Sequence, residues 1–378
     1  MAERLAERTA IVHDWFQGFH GAERVVEAMR AGLFAPGNEP DVFTFQAARD
    51  LLPPELAARI VRESRLANLP GIRQRGHDPG RWRLLLPAMP AYFRRLDLAA
   101  YDTVIASSHA CAIHARPRED ALHVCYCYTP IRYAWLPDTE ARRARGPAAL
   151  GLRATRGWLR RKDLEASRRP DGYVAISEAV RERIRTAYGR DAEVVHPPVD
   201  VEDFDPHAEK EPGSFLWAHR LVAYKNPEVV VEAFRGLPYR LTMVGVGPLA
   251  ETLRRDLPPN VDLRGWVSRE ELARLYERAS GFIHVGEEDF GITMVEGLAA
   301  GAPVIGLARG GALDIVRPGE DGLLVERADP ASVREAVKRM ATREWNRDAL
   351  AARAATFSRE RFLERLLETI EGFREAKR

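Results

Sequence analysis

The stretch from residue 281 to 303, GFIHVGEEDFGITMVEGLAAGAP, carries the clearest structural signal in this sequence. An apolar run, Gly281–Val285, is followed by the charged turn Glu287-Glu288-Asp289 and by a helical pattern that ends near Ala300-Gly301. A second apolar run, Pro303–Leu307, comes directly afterwards. A strand, a loop, a helix and a strand in this order form a βαβ unit, so both runs are predicted to lie in one parallel sheet.

Comparable units fill the rest of the chain, because short apolar runs alternate with helical patterns throughout. This alternation predicts an α/β protein with parallel sheets. Ser177 is suited to cap the charged amphipathic helix predicted at Glu178–Tyr188, and the stretch Asp329–Lys377 is helical by pattern. The other predicted strands are Thr9–His13, Tyr101–Ala106, His123–Cys127, Tyr173–Ile176, Phe215–Ala218 and Arg240–Val244.

Length and composition indicate two domains. A chain of 378 residues has room for two domains of ordinary size. The Pro- and Asp-rich stretch 196–206 marks their boundary. The predicted domains are residues 1–200 and 201–360, and a C-terminal helix, 361–378, is expected to pack back on the first domain.

Charge and cysteine content argue against several classes of protein. The formal net charge is +2, so no overall field favours nucleic acid. Cys111, Cys125 and Cys127 lack the spacing of zinc or redox motifs, and the last two alternate along a predicted buried strand. The N-terminus has no apolar signal segment, and no apolar run approaches the roughly 20 residues that cross a bilayer, so a cytoplasmic protein is expected.

The segment 141–169 stands out by its charge. It contains ten arginines or lysines against two acids, with Leu152, Trp158, Leu159 and Leu164 interleaved. One interpretation is a basic amphipathic surface that makes peripheral contact with anionic lipid, or with a phosphorylated acceptor, at the inner face of a membrane. The alternative is a solvated helix in an arginine-rich chain.

The carboxylates of the 281–303 stretch are candidates for chemistry. Glu288 lies on the predicted loop, and Glu296, eight residues later, lies on the predicted helix. The N–H groups of Gly291–Thr293 begin that helix, and a helix N-terminus is a natural site for a phosphate group. If the bound group is a diphosphate that leaves during a reaction, it gains negative charge and also needs nearby cations. Arginine offers a planar, forked cation for this purpose, and lysine offers a point charge.

In this setting the sequence resembles the retaining glycosyltransferases of family 4, which have the GT-B fold. The resemblance rests on the Glu-x7-Glu pair Glu288 and Glu296 in its strand–loop–helix context, and on AHRLVAYKN at 218–226. It implies two Rossmann-like parallel-sheet domains facing across a cleft. The N-terminal domain would hold the acceptor, and the C-terminal domain would bind the nucleotide sugar.

Further matches extend over nearly the whole chain. GFHGAER at 18–24 resembles the family's N-terminal Gly-Gly-x-Glu-Arg loop, and GWV at 265–267 resembles its base pocket. YTPIRYAW at 128–135 and SSHA at 107–110 resemble a subgroup that mostly uses GDP-mannose in surface-polysaccharide assembly.

The resemblance assigns roles to particular residues. Arg220 and Lys225 would grip the donor diphosphate, while Glu288 would bind the sugar hydroxyls and Glu296 the ribose. The implied catalytic residues are Arg220, Lys225, Glu288 and His109. The implied donor-binding residues are Gly21, Trp266, Val267, Asp289, Phe290, Gly291, Ile292, Thr293 and Glu296. The candidate acceptor or sugar contacts are His13, Asp14, His20, Arg132 and Tyr133.

Ordinary structural roles remain open for several of these residues. His109 and His13 could be satisfied core histidines, and Gly21 and Gly291 could be simple turn glycines. Ser177 is expected to act only as an N-cap.

Three positions depart from the family pattern. Asp289 stands where glycine is usual and adds negative charge beside the expected sugar site. His219 replaces the glycine that usually precedes the arginine. His20 replaces a loop glycine, and a histidine would be strained there if the position required a positive φ.

The function expected from the resemblance is transfer of a hexose, mannose from GDP-mannose by preference, to a saccharide or polyprenyl-linked glycan with retention at the anomeric carbon. The resemblance implies that no metal is required. No zinc spacing, P-loop or complete dinucleotide motif is present, so no other cofactor is expected. One alternative is a nucleotide-sugar epimerase or a phosphorylase on the same fold. Another is a catalytically inactive binding module.

Overall fold

The computed structural model describes residues 4–69, 72, 82–135 and 147–378, and for 82–83 and 147–155 it describes the backbone alone. The chain divides into two compact units. Unit 1 contains Met1–Pro198 and Phe362–Arg378, and unit 2 contains Val199–Arg361. Each unit is built on one parallel sheet, so the prediction of two parallel-sheet α/β domains is confirmed.

The strands and helices alternate along most of the described chain. The strands are β1 (Thr9–His13), β2 (Asp41–Thr44), β3 (Ile60–Arg62), β4 (Thr103–Ser108), β5 (Leu122–Cys127), β6 (Gly172–Ala175), β7 (Glu193–Val194), β8 (Glu211–Ala218), β9 (Arg240–Val244), β10 (Val261–Gly265), β11 (Ala279–His284), β12 (Val304–Leu307) and β13 (Gly322–Val325). The helices are α1 (Gly21–Gly32), α2 (Pro54–Arg59), α3 (Met89–Arg94), α4 (Arg132–Trp135), α5 (Pro147–Ala166), α6 (Glu178–Tyr188), α7 (Pro227–Phe234), α8 (Ala250–Arg254), α9 (Arg269–Arg278), α10 (Ile292–Ala299), α11 (Ala312–Ile315), α12 (Pro330–Ala341), α13 (Arg347–Ala355) and α14 (Arg359–Lys377).

The strand order of each sheet reverses once. In the described residues of unit 1 the order is β3-β2-β1-β4-β5-β6-β7, so β4 lies beside β1 although two strands separate them in sequence. In those of unit 2 the order is β10-β9-β8-β11-β12-β13, so β11 lies beside β8. At such a reversal the connecting helices leave to opposite faces, and a crevice opens at the carboxyl ends of the two central strands.

The central strands are buried on both faces. Every residue of β1, β4 and β5 is buried, including Cys125 and Cys127. These two cysteines are free and alternate along β5, so the prediction of a buried strand there is confirmed. Strands covered on both sides read as continuous apolar runs, which is why they were visible in the sequence.

The basic segment 141–169 is described only in part, because residues 141–146 lie outside the described residues. Its remainder contains α5. Leu159 is buried in the core of unit 1, and Trp158 packs against the same core. In the described half of the segment, therefore, these apolar side chains face protein, while Arg160 and Arg161 remain exposed. Among the described residues, no helix is both long enough and apolar enough to cross a membrane.

The C-terminal helix α14 packs against the sheet of unit 1. Phe362 lies 5.9 Å from Tyr126 of β5, measured between ring centroids. Lys377 Nζ lies 2.8 Å from Asp171 Oδ2, and Arg374 pairs with Glu7. Gly172 allows this approach, because a Cβ there would lie 2.3 Å from the Phe373 ring.

We therefore expect Gly172→Ala to lower the free energy of unfolding of unit 1 by about 1–3 kcal/mol, as other overpacked sites do. Thermal or urea unfolding measures the change. Gly372→Ala, on helix α14 itself, is the control, because a Cβ there meets nothing within 4 Å. It should raise stability by roughly 0.5–1 kcal/mol through helix propensity. Equal effects of the two substitutions would contradict the packing described for α14.

Candidate active site

The loop after β8 supplies two cations at the carboxyl edge of the unit 2 sheet. Arg220 is exposed and pairs with no carboxylate in the part of the chain that the structure describes. Lys225 ends the short 3-10 turn Ala223–Lys225. Its Nζ lies 2.6 Å from Glu288 Oε1, and both side chains are mostly buried.

Asn226 fixes the position of this loop. It has φ 53°, the left-handed conformation, which asparagine tolerates better than most residues. Its Nδ2 donates a hydrogen bond of 2.8 Å to the carbonyl of Val285, directly after β11. The loop that carries Lys225 is therefore tied to the loop that carries Glu288.

The loop after β11 leads into α10 through a left-handed residue. Gly291 has φ 102° and precedes Ile292, the first residue of the helix. A Cβ at Gly291 would lie 2.4 Å from Met294 Cε, so a side chain is excluded by both conformation and space. The first N–H groups of α10 have no intrahelical acceptor, which makes this turn suited to an anion.

Four glycines that the sequence analysis did not assign to the site bring these loops together. A Cβ at Gly245 would lie 1.8 Å from the carbonyl oxygen of His219, and one at Gly247 would lie 2.4 Å from that of Leu221. Gly310 and Gly311 likewise allow the loop after β12 to approach the loop after β11.

A Cβ at Gly310 would lie 2.2 Å from the carbonyl oxygen of Glu288, and one at Gly311 would lie 2.2 Å from that of Phe290. The Gly311 N–H also donates a 3.0 Å hydrogen bond to the Glu288 carbonyl. The Gly-Gly pair at 310–311 is the sequence signal that could have revealed this contact.

Two buried histidines lie behind the cations. The rings of His219 and His284 are 4.4 Å apart and nearly perpendicular. Burial lowers the pKa of both well below its ordinary value, and Lys225 lowers it further, so both rings are neutral at pH 7. His284 Nδ1 lies 3.3 Å from the hydroxyl of Thr293, in the first turn of α10. His219, the departure from the family glycine, is thus a packing residue behind Arg220.

Glu296 lies on α10 as predicted but is engaged in this structure. Its carboxylate accepts hydrogen bonds of 3.1 Å from the Tyr276 hydroxyl and from Arg269 Nη1. Arg269 also pairs with Asp203 at 2.8 Å. The buried carboxylate is therefore held in place by α9.

The remaining donor-site candidates of unit 2 differ in exposure. Trp266 is 77% exposed just after β10, and Val267 is half-buried. Asp289 is half-buried, whereas the Phe290 side chain is buried against Phe357, with ring centroids 5.6 Å apart. Phe290 therefore contributes its backbone, not its ring, to the exposed side of the loop.

In unit 1, Asp14 organises the loop after β4. Its Oδ2 accepts hydrogen bonds from the N–H groups of His109 and Ala110, at 2.7 and 2.9 Å. Its Oδ1 accepts from those of Cys111 and Ala112, at 2.5 and 2.7 Å. Four donors therefore occupy both oxygens, and the buried side chain holds the turn. Burial raises the pKa of Asp14, whereas His13 and the N–H groups of His109, Cys111 and Ala112 oppose that rise.

His13 and His109 lie together above the reversal point of this sheet. His13 Nδ1 lies 3.0 Å from the Ser107 hydroxyl, which lies 3.0 Å from the hydroxyl of Tyr128. Burial, assisted by His109, lowers the pKa of His13 to about 3. Burial, assisted by Arg132, lowers the pKa of His109 to about 4. Both imidazoles are neutral at pH 7, and His109 stacks edge-on against Trp15.

His20 and Gly21 begin helix α1. His20 has φ −118°, an extended conformation that any residue adopts, so histidine is not strained there. Its N–H donates to Glu23 Oε2 at 3.2 Å. Burial raises the pKa of Glu23 to about 7, while N–H groups of His20 and Gln17 oppose that rise. Gly21 does not have a positive φ.

Arg132 and Tyr133 lie on α4, which a buried carboxylate anchors. Both side chains are half-buried. Asp163 of α5 accepts hydrogen bonds from Trp135 Nε1 at 2.7 Å and from the Tyr188 hydroxyl at 2.8 Å. Burial raises the pKa of Asp163 to about 7, although the two hydrogen bonds oppose the rise.

The predicted residues thus fall into two sets, one at the carboxyl edge of each sheet. Within the described ranges, no group of three or more His, Cys, Asp or Glu side chains is arranged to hold a metal ion. A cavity of about 880 Å³ in unit 2 lies at the opposite edge, near Lys210 and Glu211, and contains none of the predicted residues.

Two family matches cover most of the chain. Residues 19–203 match Glycosyltransferase Family 4, and residues 200–357 match Glycosyl transferases group 1. The chain belongs to the glycosyltransferases. The first match covers the described loops of unit 1 except for His13 and Asp14, and the second covers the loops of unit 2.

Several curated glycosyltransferases are similar in sequence. The D-inositol 3-phosphate glycosyltransferase of Nocardioides is 31% identical over 224 residues, 49% of this chain and 49% of its own length. The GDP-mannose-dependent alpha-(1-6)-phosphatidylinositol monomannoside mannosyltransferase of Mycobacterium tuberculosis is 29% identical over 237 residues, 50% of this chain and 62% of its own. The chain spans about half the length of the first curated relatives it matches.

Solved structures share the fold. Anabaena HepE, solved in complex with UDP, has a TM-score of 0.67 over 97% of this chain and 100% of its own, at 15% sequence identity. This likeness supports the GT-B fold class with its two parallel-sheet domains, which the sequence resemblance implied.

The Asp14 hydrogen bonds predict a large stability effect. In Asp14→Asn an NH2 group replaces one oxygen, so at least two backbone N–H groups lose their acceptor. We expect the free energy of unfolding of unit 1 to fall by about 3 kcal/mol. Asp50→Asn, at an exposed aspartate, should change it by less than about 0.5 kcal/mol. Urea unfolding of both variants tests this, and wild-type stability of Asp14→Asn would contradict the assigned role.

The Asp163 anchor predicts a pH dependence. Its pKa is about 7 in the folded protein and near 3.8 when unfolded, so the folded state holds its proton more tightly. The stabilisation is complete at low pH and is lost as the pH rises through 7. Asp163→Asn keeps a neutral acceptor for Trp135 and Tyr188. Its stability relative to wild type should therefore improve between about pH 5 and about pH 8, and a difference that is constant across that range would contradict the raised pKa.

Proposed function

We propose that the protein transfers a hexose from a nucleoside-diphosphate sugar to an acceptor hydroxyl, with retention at the anomeric carbon and without a metal ion. The observation that carries the proposal is the arrangement at the edge of the unit 2 sheet. There, exposed Arg220 and the Lys225–Glu288 pair lie on the loops that follow the neighbouring strands β8 and β11, and the second loop enters α10 through the left-handed turn at Gly291. This is the set of groups that a departing diphosphate requires.

The charges suit a nucleotide-sugar donor. Arg220 and Lys225 would neutralise the diphosphate, together with the N–H groups of Ile292 and Thr293. Glu288 would accept hydrogen bonds from sugar hydroxyls, and Glu296 from the ribose. Exposed Trp266 and the adjacent backbone would face the base.

The proposed acceptor and mechanism are those that the family resemblance implies. The acceptor oxygen attacks the anomeric carbon from the face that the phosphate leaves, and its proton passes to the leaving phosphate oxygen. His109 and the other candidates of unit 1, namely His13, His20, Arg132 and Tyr133, would contact the sugar or the acceptor. Their neutral imidazoles can exchange hydrogen bonds with hydroxyl groups.

Mannose and guanine are the preferred donor groups. The support is the GDP-mannose dependence named for the mycobacterial relative and the subgroup resemblance at 128–135. HepE, by contrast, was solved with UDP. A saccharide or a polyprenyl-linked glycan is the proposed acceptor class, with the enzyme in the cytoplasm.

The diphosphate assignment predicts the effect of removing one cation. Arg220→Ala should weaken binding of GDP-mannose by about tenfold and lower turnover by roughly 10²-fold, because an exposed guanidinium would meet the developing charge. Isothermal titration against GDP, UDP, ADP and their mannose or glucose conjugates measures the first effect. Transfer to a membrane extract measures the second, and the anomeric configuration of the product tests retention.

Arg240→Ala is the matched control, because Arg240 is also exposed in unit 2 but begins β9 at the opposite sheet edge. Its donor affinity should equal that of wild type. If Arg220→Ala bound GDP-mannose with wild-type affinity, the assignment of Arg220 to the diphosphate would be wrong. Absence of binding to every nucleotide sugar would overturn the proposed function itself.

A further inference from the structure

Lys210 of unit 2 is a nucleophilic side chain that the proposed function does not use. The chain contains five lysines, namely Lys162, Lys210, Lys225, Lys338 and Lys377. Three of them form ion pairs, whereas Lys210 and Lys338 form none among the described residues. Lys338 is exposed on α12, but Lys210 is partly buried. A lysine that is withdrawn from water without a carboxylate partner is a candidate for chemistry.

Backbone carbonyls hold the Lys210 side chain. Its Nζ donates a hydrogen bond of 2.5 Å to the carbonyl of Ala300, directly after α10, and lies 3.5 Å from the carbonyl of Tyr276 in α9. The end of α10 lies close to the loop before Lys210, because Gly301 has φ 70° and a Cβ there would lie 2.5 Å from the Pro206 carbonyl oxygen. A neutral amine has two N–H groups and one lone pair, so it can serve both carbonyls and still keep the lone pair free.

The surroundings of Lys210 favour the neutral amine. Burial, assisted by Arg347, lowers the pKa of Lys210 to about 8, whereas Glu277 and Asp205 oppose the shift. Arg347 Nη1 donates to the Ala208 carbonyl at 3.1 Å, and Glu277 Oε1 accepts the Asp205 N–H at 3.0 Å, so hydrogen bonds hold both side chains. At pH 8 about half of the Lys210 amines are therefore neutral, whereas an ordinary lysine is almost wholly charged. Desolvation of this kind activates a lysine as a nucleophile.

Lys210 lines the cavity of about 880 Å³ at this edge of unit 2, together with a second cation. Arg274 of α9 lines the same cavity, is exposed and forms no ion pair with any residue that the structure describes. Of the cavity's other charged residues, Glu211 pairs with Arg278, and Glu209 is exposed. A phosphate group that enters the cavity can therefore bind Arg274 without displacing a carboxylate.

We propose that Lys210 is a modification site at which a small acyl phosphate transfers its acyl group to the side chain. Arg274 binds the phosphate group, and the lone pair of Lys210 Nζ attacks the acyl carbon. A bond forms between Nζ and this carbon, and the bond from the carbon to the phosphate oxygen breaks. Inorganic phosphate leaves with the electron pair, and the amine loses one proton to solvent. The product is a neutral amide.

Acylation changes the contacts at the end of α10. The amide nitrogen keeps a single N–H group, so it can no longer serve both backbone carbonyls. The positive charge close to the C-terminus of this helix also disappears. Both changes destabilise unit 2. The reaction does not depend on glycosyl transfer, so it is measured without donor or acceptor.

The test is incubation of the full chain with acetyl phosphate, followed by mass spectrometry of the peptides that contain each lysine. At pH 8, Lys210 should be acetylated roughly tenfold faster than Lys338, although Lys338 is the more exposed amine. The rate at Lys210 should level off above about pH 8 rather than rise to about pH 10, as it does for an ordinary lysine. Equal rates at the two lysines, or a rate at Lys210 that keeps rising to pH 10, would overturn the proposal.

The role of Arg274 is tested with two reagents. Arg274→Ala should lower the rate of Lys210 acetylation by acetyl phosphate about fivefold, because the phosphate loses its cation. The neutral ester p-nitrophenyl acetate should acetylate Lys210 equally fast in this variant and in wild type. Arg255→Ala, at an exposed arginine of unit 2 that does not line the cavity, is the control and should match wild type with both reagents.

Two results would contradict the acyl phosphate assignment. One is a rate with acetyl phosphate that Arg274→Ala does not change, or that falls equally with the neutral ester. The other is faster acetylation of Lys210 by acetyl-CoA than by acetyl phosphate at the same concentration, which would make a thioester the acyl source.

The structural consequence is tested by thermal unfolding. Acetyl phosphate treatment should lower the Tm of unit 2 in the wild-type chain by roughly 4 °C, because a charged hydrogen-bond donor is lost. Lys210→Arg keeps the positive charge but lacks the reactive amine, so the same treatment should leave its Tm unchanged. An equal fall in both proteins would assign the effect to another lysine and contradict the inference. Each result is independent of donor titration, so failure of acylation and failure of the proposed function are distinguishable.

Discussion

The reversal of strand order in each sheet is the constraint on which the arrangement of candidate residues depends. In a parallel sheet, side chains after neighbouring strands meet only where those strands end together. The reversal makes β8 the neighbour of β11, and β1 the neighbour of β4. Residues far apart in sequence, such as Lys225 and Glu288, thereby come within 2.6 Å of each other. The same topology brings Asp14 to the backbone of His109.

Backbone approach then determines how closely the loops can pack. At Gly245, Gly310 and Gly311 a Cβ would lie within 2.2 Å of a carbonyl oxygen of the neighbouring loop. Any side chain there would push the loops apart and separate the charges they carry. Asn226 adds a hydrogen bond across the same gap. These small residues therefore determine how closely the charged side chains of the two loops approach one another.

Sequence reasoning found the central strands and the charged residues because both leave strong local signals. β1 and β9 have the predicted bounds, since continuous apolar runs end sharply at polar residues. β2, β3, β7, β10 and β13 were not predicted, because one to four apolar residues beside a turn do not distinguish a strand from a loop. The roles of Gly245 and Gly310 depend on contacts between distant loops, which no local pattern contains. The concern about strain at His20 was unnecessary, because its φ is negative.

The Lys225–Glu288 pair has a consequence for ligand binding under the proposed function. Both groups are mostly withdrawn from water, so neither loses its partner without cost. A diphosphate sugar would replace both partners together: phosphate oxygens for Lys225, and sugar hydroxyls for Glu288. A free nucleoside diphosphate could satisfy only the lysine and would leave the carboxylate unpaired. The pair therefore favours the intact donor over the spent nucleotide, because only the donor compensates both buried charges, and this difference promotes product release after transfer.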